Sequence, residues 1–256
     1  MKKYLIALVL FWFCFGFIQQ QHLAVIAKKN ATTADYSDIL LWDRMEAAAQ
    51  NATNDYPGDR TWQTKNVSYT GGRVNNGITI ADSESDGDDW AREPIANNDI
   101  VSTTEGTIYI EFKIGGWVDN AKFFYAVDDS SGYGISIQAA GTDEIEMGWW
   151  ESGLSDVVTT TTCNLSTGTW YLAEVNYQAS SNYRKIAVYN TSGSEICSTT
   201  DSSTAISGFT TDAGMMYLGN PDTTSQFAFV LDNVRISNSY TRNFVALRDT
   251  DSWPGD

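Results

Sequence analysis

The sequence is short of histidine, proline, cysteine and positive charge. Its 256 residues hold one histidine (His22), 4 prolines, 3 cysteines and 16 lysines and arginines. Against those 16 cations stand 32 carboxylates, a net charge of −16. Such a surplus repels phosphate, which argues against nucleic acid as a partner and against an anionic membrane surface. One histidine, placed in an N-terminal leader, leaves none for a Ser-His-Asp or Cys-His mechanism. It also removes the usual His-ligated zinc site. Few prolines, with 42% apolar and 13% aromatic residues and many Thr, Ser and Gly, favour a β-rich globular chain with a sizeable core.

Long apolar runs are also missing. The longest is Tyr4 to Ile18, 15 residues, where a membrane span needs about 20. It follows Lys2 and Lys3 and precedes a polar stretch, Gln19 to His22. Val25-Ile26-Ala27 then offers tolerated residues for cleavage. We read residues 1–27 as a secretory signal peptide, the alternative being an uncleaved signal anchor. Bulky Phe11-Trp12-Phe13 before Cys14 speaks against a lipoprotein box. The expected location is extracellular or at the cell surface, with no membrane contact after cleavage. The mature chain would carry 14 basic and 32 acidic residues, a charge of −18, with no histidine and two cysteines. Export makes Cys163 and Cys197 an expected disulfide, closing a loop of about 35 residues and adding roughly 3–4 kcal/mol. Five glycosylation sequons stand at Asn30, Asn51, Asn66, Asn164 and Asn190.

Residues 28–38 are small and polar and read as a linker; 39–252 read as one domain. ILLWDRMEAAA (39–49) fits either a strand and turn or a short amphipathic helix. From residue 105 alternation with period two prevails. Ile108, Ile110, Phe112 and Ile114 share one face, and Tyr109, Glu111 and Lys113 the other. Ile145, Met147 and Trp149 oppose Glu144, Glu146 and Trp150. Tyr171, Ala173, Val175 and Tyr177 form another apolar face. Strands recurring every 10–15 residues between turn signals predict an all-β, two-sheet antiparallel sandwich.

The series GTIYIEFKI, GTWYLAEVNYQ (168–178), KIAVYNTSG (185–193), MMYLGN (215–220) and FVLDNVRIS (229–237) resembles the laminin-G-like branch of the concanavalin A-like lectin/glucanase superfamily. The resemblance covers residues 105–237 well and 36–104 loosely. It implies a jelly roll with a concave face. Members of the superfamily bind glycans or proteins, and a minority are hydrolases or lyases, so fold alone does not assign function.

Carboxylates suggest calcium. ADSESDGDDWARE (81–93) nearly spells a calcium loop, with Asp82, Asp86, Gly87 and Glu93 in place and Glu84 departing from it. The resemblance implies a second site, with Asp232 matching the position that holds a structural calcium and Asp43 joining it more loosely. Glycan contact calls for exposed rings beside polar groups. Trp149 reads as core. Trp150, Trp117, Tyr133 and Trp90 are stacking candidates, with Glu146, Glu111 and Tyr109 as polar companions. Catalysis would follow the family's E-x-D-x-x-E strand. Glu144-Ile145-Glu146-Met147-Gly148 lacks the central Asp and its third site is Gly148. A pair of Glu111 and Glu146 across neighbouring strands is the remaining arrangement. The sequence thus points to an exported, non-catalytic glycan-binding or adhesive module with a glycan or surface polysaccharide as partner. A self-associating subunit of a filament, surface layer or virion is the alternative, and a glycoside hydrolase or polysaccharide lyase the third reading.

Overall fold

The computed structural model describes residues 37–45, 55–56, 62–73, 75–80, 89–94, 101, 104–117, 121–127, 134–141, 143–151, 154–159, 162–206, 214–219 and 228–247. Of residues 55–56, 93–94, 151 and 154–159 only the backbone is described. The leader and most of the linker lie outside these residues. The chain divides after Ser37, and the description concerns the second unit, Asp38–Asp256.

The described strands are β1 (Ile39–Asp43), β2 (Asp55–Tyr56), β3 (Gln63–Lys65), β4 (Val67–Tyr69), β5 (Ile78–Ile80), β6 (Trp90–Pro94), β7 (Glu105–Ile114) and β8 (Lys122–Val127). They continue as β9 (Gly134–Ala140), β10 (Glu144–Glu151), β11 (Leu154–Thr159), β12 (Trp170–Gln178), β13 (Tyr183–Asn190), β14 (Glu195–Asp201), β15 (Met215–Gly219) and β16 (Phe229–Ser237). The first sheet runs β14-β13-β12-β7-β16-β1-β2, with β5 also on β16 and β4 on β5. The second runs β11-β10-β9-β8-β15-β6-β3. All pairings are antiparallel. The predicted two-sheet sandwich is what forms, and 39–43 settles as a strand.

Alternation explains the layers. Ile108, Ile110, Phe112 and Ile114 of β7 are buried and meet Ile135, Ile137 and Ala139 of β9 and Ile145, Met147 and Trp149 of β10 in one core. Rings bridge the sheets. Phe123 of β8 lies 4.8 Å from Phe112 and 5.3 Å from Phe229, and Trp149 lies 5.3 Å from Tyr177 of β12. Such pairs add ~0.5–1.5 kcal/mol each beyond the area they bury. A register shift between Lys122 and Phe124 turns both Phe123 and Phe124 inward, where strict alternation would bury one. At the end of β15, Gly219 has φ +89°, and a Cβ there would stand 2.5 Å from the Asp89 carbonyl. That close approach and left-handed backbone require glycine.

Cys163 and Cys197 form the expected disulfide, with Cα atoms 5.4 Å apart. Cys197 lies on the edge strand β14, and the Cys163 amide donates to the Asp143 carbonyl in the β9–β10 turn (2.9 Å). The bridge thus fastens the edge of the first sheet to a hairpin of the second.

Candidate functional site

The two outer faces differ. That of the first sheet is covered by the chain after β16. Phe244 is fully buried with its ring 6.0 Å from Tyr109, the Arg235 guanidinium donates to the Leu247 carbonyl at 3.0 Å, and Thr107 donates to the Ser239 carbonyl at 2.7 Å. Beneath this strap sit Tyr109 and Glu111, both 0% exposed. Tyr109 donates to Glu111 (2.7 Å), and Arg73 pairs with Glu111 through two nitrogens. Asn233 takes φ 50° at the β16 bulge, which lets its amide reach Glu111 at 3.5 Å and Asp232 at 3.2 Å. Arg235 stacks over Trp42 at 4.1 Å. Burial, then the Glu111 charge, pushes the Tyr109 phenol well above its usual range. On β12, Glu174 accepts the amides of Phe244 (2.9 Å) and Val245 (3.3 Å). Burial raises its carboxyl to about 7 against the pull of those two bonds.

The outer face of the second sheet carries an aromatic row. Trp90 of β6 meets Tyr217 of β15 edge-on at 6.1 Å. Tyr217 stacks beside Tyr125 of β8 at 6.2 Å, and Tyr125 meets Trp150 of β10 at 5.6 Å and 83°. Register produces the row, since Tyr217 stands opposite Tyr125, Tyr125 opposite Ser136, and Trp150 opposite Gly134. All four rings are half-buried. The Trp150 ring lies over Gly148, where a Cβ would stand 2.6 Å from the ring and 2.7 Å from Ser136 Oγ. Glycine at 148 lets the indole lie down on the sheet. Beside the ring runs a chain of polar groups in which Ser136 donates to Gln138 (3.0 Å) and Gln138 donates to Glu146 (2.5 Å). Cations border the row. Arg92 lies over Trp90 at 4.6 Å and Lys122 over Tyr125 at 5.2 Å. A flat ring next to a fixed amide, hydroxyl and carboxylate can stack a sugar ring and orient its hydroxyls.

The structure brings together Trp150, Glu146 and Trp90 from the residues singled out in the sequence. Trp149 is core, at 0% exposure. Trp117 stands apart. Its indole donates to the Gly141 carbonyl in the β9–β10 turn, at the other end of those strands from Trp150. Tyr109 and Glu111 do not join the row. The sequence reading set Glu111 and Glu146 across neighbouring strands, but β7 and β10 belong to different sheets. Glu111 lies instead in the ion network under the strap, so that carboxylate pair does not form. Tyr133, Asp82 and Asp86 fall outside the described residues, as does the side chain of Glu93. Asp43 is buried and accepts the Met45 amide and the Trp62 indole, each at 2.6 Å. Asp232 is also buried and accepts from Asn233. Among the described residues no group of three or more His, Cys, Asp or Glu is placed to hold a metal.

Sequence reasoning missed Tyr125, Tyr217, Arg92, Ser136 and Gln138. The signal for the tyrosines was faint: each is a polar-tipped ring inside an otherwise apolar strand, KFFYAV and MMYLG. Their adjacency depends on β8, β15 and β6 lying side by side, which no local pattern reveals.

No family model matches the chain, and no curated protein matches it. Solved structures do. One is domain 4 of AbnA, a GH43 extracellular arabinanase from Geobacillus stearothermophilus, in complex with arabinotriose. It shares 15% identity at TM-score 0.58, over 79% of this chain and 93% of that domain. The binding domain of botulinum neurotoxin DC is similar in complex with rat synaptotagmin II (TM-score 0.61, 13% identity, 85% of this chain and 52% of that one). The same domain in complex with SialylT gives TM-score 0.60 and 12% identity over 86% of this chain and 52% of that one. The chain spans about half the length of these toxin domains. At such identities the likeness concerns the fold: this chain is a two-sheet β-sandwich of the kind found in carbohydrate- and receptor-binding domains.

Proposed function

We propose that the protein is an exported, non-catalytic glycan-binding module of laminin-G-like type that binds through the outer face of its second sheet. The row Trp90–Tyr217–Tyr125–Trp150, with the Ser136–Gln138–Glu146 chain beside Trp150, carries the reading. Aromatic rings supply sugar-stacking area, and Glu146, held by Gln138 and not paired with Glu111, serves to orient hydroxyls. The arabinotriose bound by the arabinanase domain supports a glycan as ligand, and the Cys163–Cys197 disulfide supports export to an oxidising compartment. Calcium belongs to the proposal through the acidic sequence 81–93, whose last residues, Trp90 to Glu93, lie on β6. A rise in unfolding temperature on adding calcium, reversed by chelator, would support it.

The test is a glycan array followed by titration on the best polysaccharide. Trp150→Ala should lower affinity at least 10-fold while the far-ultraviolet spectrum stays unchanged. Binding unaltered in Trp150→Ala, or no binding to any of a broad set of polysaccharides, would overturn the reading.

A further inference from the structure

The aromatic row is bordered by an arginine held in a different way from Arg73, Arg184, Arg235 and Arg242. Arg73 pairs with Glu111, Arg184 with Asp201, and Arg242 with Asp38. Arg235 is buried over Trp42 and donates to a carbonyl. Arg92 lies half-buried on the outer face with its guanidinium carbon 4.6 Å from the Trp90 ring centroid, and its Nε donates to Gln63 Oε1 at 2.9 Å. Among the described residues its two terminal nitrogens meet no carboxylate. The ring contact and the Gln63 bond restrain the guanidinium, whose remaining donors form a fork. Such a fork matches the paired oxygens of a carboxylate or sulfate. Lys65 stands opposite Trp90 in the β3–β6 register, and Lys122 lies over Tyr125.

Arg92 thus brings a positive charge to one end of the row.

From this juxtaposition we infer that the site takes an acidic glycan, one whose sugars carry a carboxylate or a sulfate, with Arg92 gripping the anionic group while the neighbouring rings stack the sugar. The inference rests on the glycan-binding reading and narrows it. Specificity against neutral polymers then comes from Arg92, because a neutral sugar leaves the fork without a partner.

The experiment titrates the full chain with polygalacturonate, dextran sulfate and debranched arabinan at 50 and 500 mM NaCl. At least one acidic polymer should bind 10-fold or more tightly than the neutral one, and 500 mM salt should erase that advantage. Arg92→Gln should abolish the preference, bringing the ratio of acidic-polymer to arabinan affinity to about 1. Arg92→Lys keeps the charge without the fork and should retain only part of it. Polygalacturonate against dextran sulfate separates a carboxylate from a sulfate partner. Arabinan binding as tight as either acidic polymer, or an acidic preference intact in Arg92→Gln, overturns the inference while leaving a glycan-binding module. Should Arg92→Gln unfold, the salt series and Arg92→Lys decide. No binding to any of the three, with none on the array, overturns the glycan reading itself and this inference with it.

Discussion

At the residue scale, Glu174 makes a testable point. Its carboxyl titrates near 7 in the fold against 4.5 in an open chain, because burial outweighs the two amides it accepts. The folded state therefore holds the proton more tightly than the unfolded one. Stability from this group is full below about pH 4.5, falls as pH rises to about 7, and is flat above. The loss is at most ~3 kcal/mol. Glu174→Gln still offers an oxygen to Phe244 and Val245 but cannot ionise. In urea melts at pH 5 and pH 8, the variant should lose less stability between the two than wild type does. Sequence alone places Glu111 on the face of its strand opposite Ile108, Ile110 and Phe112, as the structure does. It could not show a strap from residues 239–247 closing over Glu111 and Glu174, since burial there depends on a segment 70 positions from Glu174. Trp149 and Trp150 were legible because both of their environments follow from the pleat.

At the element scale, alternation named the strands that matter. β7, β10 and β12 carry their apolar residues where period two puts them. β8 did not obey, because its bulge buries Phe123 and Phe124 together and so sends Tyr125 outward into the row. β15 reads from sequence as an ordinary short strand, whereas 90–93 reads as the end of a calcium loop and instead forms β6, paired with β15 and β3. Their role emerges only from lying next to β8. The disulfide acts at this scale, since it joins β14 to the segment bonded to the β9–β10 turn. Cys163→Ser with Cys197→Ser should cost about 3–4 kcal/mol for a loop of this length. Equilibrium urea unfolding of both proteins measures it, with wild type examined oxidised and reduced. The reduced wild type should match the double variant.

At the scale of the whole molecule, the first sheet is closed by its last strand. β16 pairs with β7, β1 and β5. It also brings Phe229, Leu231, Val234 and Ile236 to the core. A chain ending at residue 228 should therefore lose cooperative unfolding and show collapsed amide dispersion in a two-dimensional spectrum. Retention of a sharp transition would mean that β7 and β12 suffice. Antiparallel pairing of β1 with β16 has another result. Ile39 stands opposite Ser237, and Asp38 accepts hydrogen bonds from Ser237 and the Asn238 amide. The strands first and last in chain order, β1 and β16, thus lie side by side in the first sheet, while the aromatic row lies on the second. Pulling Ile39 and Ser237 apart would therefore unzip that pair one hydrogen bond at a time, without first shearing the sheet that carries the row.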